Sequence, residues 1–250
     1  VVNLFPRLGE LQARASLRVG CGRWNAVVIK NLVRGFGALS LALVPLLSSP
    51  AAQAAPAPEV TTLADAVGLV EVIEEDRVGY TRSKFKHWNS GDDAGDGCHT
   101  RNEVLIAEAV VAPTVEAGCK LSGGTWRSYY DGQEVTSAGS LDIDHMVPLA
   151  EAWDSGASAW SVARREAYAN HQGADVSLVA VTARSNRQKS DQDPADWMPP
   201  SPQAQCRYMG EWVATKLRWG LTADDRELEA LKVYAEGPCE DTVVRYTPAA

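Results

Sequence analysis

No two cysteines of this chain are spaced C-x-x-C, no segment is apolar for long enough to span a membrane, and no stretch repeats itself. The first absence argues against a zinc site built from the cysteines. The second excludes a retained membrane anchor: the most apolar run, 35–47, is broken by Pro45 and falls short of the ~20 residues a spanning helix needs. The third removes repeat architectures. Positive charge is also scarce. The formal net charge is −8, and the first 54 residues hold six of the 24 basic residues but one of the 32 acidic ones. The remainder therefore carries 18 basic residues against 31 acidic, a balance of −13. That argues against broad, nonspecific attraction to a polyanion, while leaving room for a local basic groove.

What is present begins with an export signal. Lys30 and Arg34 give a positive n-region (about 28–34), 35–47 is the h-region, and Ala52-Gln53-Ala54 is a small-x-small cleavage site. Cleavage after Ala54 and a secreted mature chain are expected, with no lipid-attachment cysteine and no paired arginines. Residues 1 to about 26 precede the n-region and read as upstream sequence, with the start near Val27 or Val28. Residues 55–61 read as a Pro/Ala linker and 62–250 as one domain, long enough for a real core. Past the signal, Cys98, Cys119, Cys206 and Cys239 remain. An even count in an exported chain implies two disulfides with three possible connectivities. Cys98–Cys119 and Cys206–Cys239 are favoured, because each closes a local loop.

Apolar periodicity places an amphipathic helix over 62–76, a short helix over 102–110 and helices over 148–153, 160–170, 205–219 and 224–235. Segment 84–97 is polar and rich in Gly and Asp, hence loop. The aromatic-rich 125–130 and the run 177–182 read as strands, and 183–190 begins a helix. His171 lies in a polar loop and reads as exposed. Trp153, Trp160, Trp212 and Trp219 fall at helical positions and read as core rather than stacking platforms for bases.

Leu141-Asp142-Ile143-Asp144-His145-Met146-Val147-Pro148-Leu149 alternates apolar and polar residues, as a half-buried strand does. Aspartate is depleted in strands, which makes Asp142 and Asp144 conspicuous. A second stretch, Thr182-Ala183-Arg184-Ser185-Asn186-Arg187-Gln188-Lys189-Ser190-Asp191, sets Asn186 41 residues after His145. Asn186 and Lys189, at i and i+3, share a helix face. Pairing the first strand with Leu178–Val181 gives a β-β-α unit in which Asp, His, Asn and Lys converge.

Asp-x-Asp-His-x-Val-Pro-Leu followed by Leu-Val-Ala-Val-x-x-x-x-Asn-Arg-x-Lys-x-Asp resembles the HNH (His-Me finger) endonucleases. It is most similar to secreted HNH endonuclease family proteins, which are related to the C-terminal nuclease domain of modification-dependent restriction enzymes. The likeness runs from about His87 through Cys239. It implies an α+β fold, with a helical domain surrounding a ββα-metal core at about 141–191, stapled by disulfides. It also implies a monomeric enzyme hydrolysing phosphodiester bonds of DNA, and RNA as an open alternative, to leave a 5′ phosphate.

In that scheme His145 is the general base. Asp144 and Asn186 hold one Mg²⁺, or another divalent cation, through oxygens. Lys189 neutralises phosphate charge, and Arg184, Arg187 and Arg101 are candidate phosphate contacts. The middle Asn of the HNH pattern, nine residues before Asn186, is Ser177 here. Ser177 is expected to orient the base through its backbone or side chain. Asp142, on the same face as Asp144, is expected to support the ligands.

A second acidic stretch, Asp92-x-Ala94-x-Asp96-Gly97-x5-Glu103, nearly matches a Ca²⁺ loop, with Gly and Glu at the required places and no ligand at Ala94. Asp92, Asp96 and Glu103 are its candidate ligands, and an acidic loop tethered by Cys98 is the other reading. Two other function classes stay open. One is a non-catalytic secreted binding module that keeps the fold, favoured by the negative balance and by Ser177. The other is a phosphoesterase acting on smaller esters.

Overall fold

The computed structural model describes residues 57–174 and 176–249. The expected signal peptide and upstream segment lie outside the described residues. The element order is β1 (Glu59–Thr62), α1 (Leu63–Val67), α2 (Thr100–Ala107), β2 (Thr114–Glu116), β3 (Lys120–Ser122), β4 (Trp126–Arg127), β5 (Glu134–Val135) and β6 (Leu141–His145). It continues with α3 (Leu149–Asp154), α4 (Val162–Ala169), β7 (Leu178–Thr182), α5 (Ala183–Lys189), α6 (Pro202–Trp219), α7 (Asp225–Ala235) and β8 (Val243–Tyr246). The fold is mixed α and β: the described strands pair only in twos, as β1–β8, β2–β3, β4–β5 and β6–β7, all antiparallel.

The pair that positions the site is β6–β7. Its register sets Asp142 opposite Val181, Asp144 opposite Val179 and His145 opposite Leu178. Directly opposed residues share a sheet face, so the two aspartates lie on the side of Val179 and Val181. Those valines enter the larger core, with Tyr130, Met146, Tyr208, Met209 and Trp212. Leu141, Ile143, Leu178 and Ala180 point the other way, into a smaller core with Val104, Leu105 and Trp126. A sheet buried on both faces needs apolar residues on both. β7 is apolar from Leu178 to Val181, whereas β6 fills one face with aspartates, whose partners come from elsewhere.

Those partners come from α5, which follows β7 without a loop. Thr182 ends the strand and caps the helix, its hydroxyl accepting from the Ser185 amide. A helix entered directly from a strand lies across the same sheet face, here that of Asp142 and Asp144.

The long helix α6 is the spine of the larger core, starting with Pro202 at its first turn and ending at Gly220, where φ is +64°. Pro at the first turn and Gly just past the last are the favoured start and stop for backbone reasons. Asp224 caps α7 by accepting from the Glu227 amide at 2.6 Å. The β1–β8 ladder joins the two ends of the described chain, with Glu59 opposite Tyr246 and Thr62 opposite Val243. Glu59 to Thr61, expected as linker, are therefore strand.

Disulfides join Cys98 to Cys119 and Cys206 to Cys239, with sequence separations of 21 and 33. The first ties the loop before α2 to the β2–β3 hairpin. The second ties α6 to the segment after α7. This is the local-loop pairing expected above.

Two expected elements are shorter than the periodicity suggests. The helix over 62–76 ends after Val67, where the Gly68 amide turns back to the carbonyls of Ala64 and Ala66. Beyond it the chain is recruited by another partner: Val72 bridges Ala223 in parallel and the Ile73 amide donates to the Ala223 carbonyl. The strand over 125–130 keeps only Trp126 and Arg127 in register with Val135 and Glu134. Tyr129 and Tyr130 leave it because their hydroxyls have carboxylate partners, Glu211 and Asp144.

Candidate active site

His145, at the end of β6, is 5% exposed. Its Nε2 lies 2.9 Å from the Ala169 carbonyl at the end of α4. A carbonyl only accepts, so Nε2 carries the proton and Nδ1 is left as the free lone pair. Nδ1 has no hydrogen-bond partner among the described residues. The ring is held between Trp88, stacked at 5.5 Å and 26°, and Tyr168, at 6.4 Å and 22°. His87 meets it edge-on at 6.3 Å. Burial pushes the imidazole down to about 3, and the charge of Arg82 pushes the same way. His145 is thus kept neutral.

Asp144, 5% exposed, receives two strong donors on Oδ2: the Tyr130 hydroxyl at 2.6 Å and the Lys189 ammonium at 2.6 Å. Its Oδ1 has no partner among the described residues. Burial pushes this carboxyl up and the Lys189 ammonium down, each opposed by the other's charge. Lys189 is fully buried, and its ammonium also donates to the carbonyls of His145 at 3.0 Å and Met146 at 2.9 Å. All three of its N–H donors are used inside the protein. The structure therefore places Lys189 beneath Asp144, fixing the end of β6, and not where it could meet a phosphate.

Asn186 donates from Nδ2 to Asp142 Oδ2 at 3.2 Å, which leaves its Oδ1 without a partner among the described residues. Arg187 sits 3.5 Å from the same Asp142 oxygen. Asp142 thus takes the amide nitrogen of Asn186. Asp144, His145, Asn186 and Arg187 line one open cleft of about 480 Å³ together with Tyr80, Arg82, Pro148 and Asp191.

Other expected residues lie elsewhere. Ser177 Oγ accepts from His171 Nδ1 at 2.9 Å, since Nε2 of that ring takes the Arg218 guanidinium, and the Ser177 carbonyl accepts the Met146 amide at 3.0 Å. The acceptor that orients His145 is instead the carbonyl of Ala169. Arg101 is turned inward, donating to the Leu141 carbonyl at 2.9 Å, and secures the start of β6. Arg184 is exposed but lines a separate hollow with Asp131, Gln188 and Pro200.

The acidic loop is closed on itself. Glu103 accepts from the amides of Asp92 at 2.8 Å and Asp93 at 3.1 Å, and from the side chain of Gln172. Burial pushes its carboxyl up, but those hydrogen bonds outweigh it and hold it below the usual range. Asp96 accepts from the Cys98 amide at 2.6 Å. Two of the three carboxylates that a Ca²⁺ loop would aim at an ion, those of Asp96 and Glu103, accept from the loop's own backbone amides. His171, expected as exposed, is half-buried between Ser177 and Arg218, whose Nη2 lies 2.7 Å from Nε2. Burial and that positive neighbour push it down to about 4.

Three contributors were not foreseen: Tyr130, Trp88 and Arg82. Trp88 adopts φ +60°, a conformation bulky residues rarely take, and pairs it with the stacking on His145. A tryptophan in a polar Gly/Asp-rich stretch, with an arginine just before it, was the available signal, since such a loop has no core of its own to bury the ring.

One group of carboxylates among the described residues is close enough to share an ion: Glu75, Glu151 and Glu227. It already encloses a cation. Lys216 is fully buried there, 2.9 Å from Glu151 and 2.5 Å from Glu227. The donor set that fits an added hard cation is the other one, the two unpartnered oxygens of Asp144 and Asn186 on the cleft wall.

A family model described as "GmrSD restriction endonucleases, C-terminal domain" matches residues 113–232, from the β2 strand through most of α7. An "Uncharacterized secreted protein" of Arthroderma benhamiae (strain ATCC MYA-4681 / CBS 112371) is 34% identical over 195 residues, covering 76% of this chain and 93% of that protein. No solved structure matches. The matched stretch contains β6, β7 and α5 with Asp144, His145, Asn186 and Lys189, so the motifs and the match fall on the same residues. The chain belongs to the family of GmrSD restriction endonuclease C-terminal domains.

Proposed function

We propose that this protein is a secreted endonuclease of the HNH, or His-Me finger, type, which hydrolyses phosphodiester bonds of DNA with one divalent cation, Mg²⁺ by preference. The observation that carries the reading is the convergence in one cleft of a neutral histidine with a free Nδ1 and two oxygens without partners, Asp144 Oδ1 and Asn186 Oδ1. The antiparallel β6–β7 pair followed directly by α5 is the ββα frame such a site uses. Secretion rests on the signal-like leader, the two disulfides and the printed name of the fungal relative.

The chemistry follows from the geometry. His145 Nδ1 takes a proton from an attacking water, while the Nε2–H bond to Ala169 keeps the ring in the required tautomer. The tautomer, not the bulk pH, sets which nitrogen acts. Asp144 and Asn186 would hold the cation, which when bound offsets charge on the phosphate and the departing oxygen. Lys189 and Tyr130 hold Asp144 from behind, so that one oxygen faces the cleft. Trp88 and Tyr168 shield the imidazole from water on both ring faces.

The test is plasmid cleavage by the purified protein with Mg²⁺, with EDTA and with His145→Ala. Cleavage that EDTA abolishes and that His145→Ala lowers at least ~100-fold is expected, the usual scale for losing a general base. Cleavage that survives His145→Ala would put the base elsewhere. No cleavage with any divalent metal, alongside retained binding, would favour a binding module. Activity confined to small phosphodiesters would favour the simpler esterase.

A further inference from the structure

The cleft holds one cation that none of the expected motifs covers. Arg82 opens a single 3-10 turn, Arg82–Lys84, whose amides close on the chain just before them: Lys84 to Thr81 at 3.0 Å and Phe85 to Arg82 at 3.1 Å. The turn is pinned at its end. Phe85 is fully buried against Tyr80, Trp153 and Tyr168, with ring centroids 6.1 to 6.5 Å apart. Asn170 Nδ2 donates to the Lys86 carbonyl at 2.8 Å, and Arg165 Nε to that of Lys84 at 3.3 Å. The backbone presenting Arg82 is thus fixed to the core, while its side chain is exposed on the cleft wall.

The other charges at the cleft are already matched. Asp144 has Lys189, Asp142 has Arg187 and Asp191 has Arg77 at 2.7 Å. The Arg82 side chain has neither an ion pair nor a hydrogen bond among the described residues. It lines the same cleft as His145, Asp144 and Asn186. It also lies outside the stretch matched by the family model. An unpaired guanidinium on an anchored turn, in a chain with an excess of acidic residues, is an anion receptor waiting for its anion: the fork of N–H donors fits two non-bridging phosphate oxygens.

We infer that Arg82 binds the substrate phosphodiester that His145 acts on, and that the turn at 82–84 is a working part of the nuclease site. This rests on the nuclease reading above. The arginine moves no proton. It donates hydrogen bonds to the phosphate and offsets the charge that builds there as water adds, which is where preorganised donors act most strongly. Because the turn is fixed by Phe85, the guanidinium approaches without a loop having to order.

The experiment compares wild type, Arg82→Gln and Arg82→Lys in two assays. Plasmid cleavage with Mg²⁺ is measured first. Binding of a short DNA duplex is then measured at several salt concentrations in a His145→Ala background, so that the duplex survives. Arg82→Gln is expected to slow cleavage ~100-fold or more. It should also reduce the slope of log affinity against log salt by about one. Arg82→Lys should keep the slope and recover part of the rate, since it restores the charge but not the fork. The thermal midpoint should not move, because the side chain is exposed. Cleavage within twofold of wild type would overturn the inference. So would a loss of rate with an unchanged salt slope, which would mark a structural effect. In both cases the nuclease reading stands as long as His145→Ala still abolishes cleavage. If wild type neither cleaves nor binds the duplex, the nuclease reading fails and the role of Arg82 fails with it.

Discussion

Lys189 and Lys216 are both wholly buried and both donate to carboxylates, yet only Lys189 lies behind a cleft. Around Lys216 everything points inward: Glu151, Glu227, the Ser155 hydroxyl at 3.0 Å and the Thr222 carbonyl at 2.7 Å all converge on the ammonium. Burial alone would push that ammonium down, but the charges of Glu227 and Glu151 outweigh it and hold it up. Around Lys189 there is one carboxylate and two carbonyls, and burial prevails, pushing the ammonium down. The Lys216 group is a closed knot joining α3, α6 and α7. The Lys189 group is a backing plate, leaving Asp144 Oδ1 and His145 Nδ1 unclaimed on the other side. Buried charge is common to both, so it does not mark a site. Unclaimed donors and acceptors facing an opening do.

The largest expected effect separates the two lysines by stability. Lys216→Met leaves Glu151 and Glu227 buried side by side without their shared cation and is expected to cost about 3–5 kcal/mol, the scale of breaking a buried ion group. Lys189→Met leaves one carboxylate that Tyr130 still serves, and is expected to cost roughly 2–3 kcal/mol. Urea unfolding of the two variants against wild type measures both. The comparison breaks if Lys189→Met is the more damaging. It sharpens if Lys189→Met also removes cleavage while the folded variant keeps its far-UV spectrum, because the backing of Asp144 would then be separable from the fold.

A smaller effect tests the knot by pH. Burial pushes Glu75 up to about 8, with the charge of Glu151 adding to it. Burial likewise pushes Glu227 up to about 7 against the pull of Lys216. An unfolded chain releases these protons near the ordinary glutamate value of about 4.5. Between there and about 8 the folded state binds more protons than the unfolded one, so stability falls as pH rises through that window. Glu75→Gln keeps the shape and removes one of the two titrations. The thermal midpoint of wild type is expected to drop between pH 5 and pH 8, and that of Glu75→Gln to drop less. A midpoint with the same slope in both would show that Glu75 holds no proton in the knot.

The sequence foretold one of these regions and not the other, for a physical reason. Asp144 and His145 are neighbours on β6, and Asn186 and Lys189 sit three apart on α5, so local periodicity sets their faces within each stretch. The Lys216 knot is drawn from 75, 151, 216 and 227, each unremarkable in its own helix or loop. No local pattern brings them together. The same division runs through the cleft. Its motif half was legible, while Tyr80 and Arg82 line it, and Trp88 stacks on His145, from a segment whose path is set by Phe85 entering the larger core. The roles were less legible than the positions. The resemblance makes Lys189 a phosphate contact, but burial commits all its donors to the protein. The shortened helix at 62–76 is a case of tertiary pairing overriding periodicity, since Ala223 takes the amide that a longer helix would have used.

Ser177 gives the finest test of how the base is held. The pattern places an orienting residue there, acting through its backbone or its side chain. In the structure its hydroxyl meets His171, and the bond that fixes the imidazole comes from the Ala169 carbonyl, a backbone group at the end of α4 that no side-chain motif can encode. Ser177→Ala is therefore expected to cost about 1 kcal/mol, the loss of one partly buried hydrogen bond, and to leave cleavage within a few-fold of wild type. Its carbonyl still accepts the Met146 amide, so the end of β6 stays in place. A variant that folds as well as wild type but cleaves ~100-fold more slowly would return the orienting role to Ser177 and remove it from Ala169. No side-chain substitution deletes the Ala169 carbonyl, so the serine variant is the direct way to decide which of the two holds the ring.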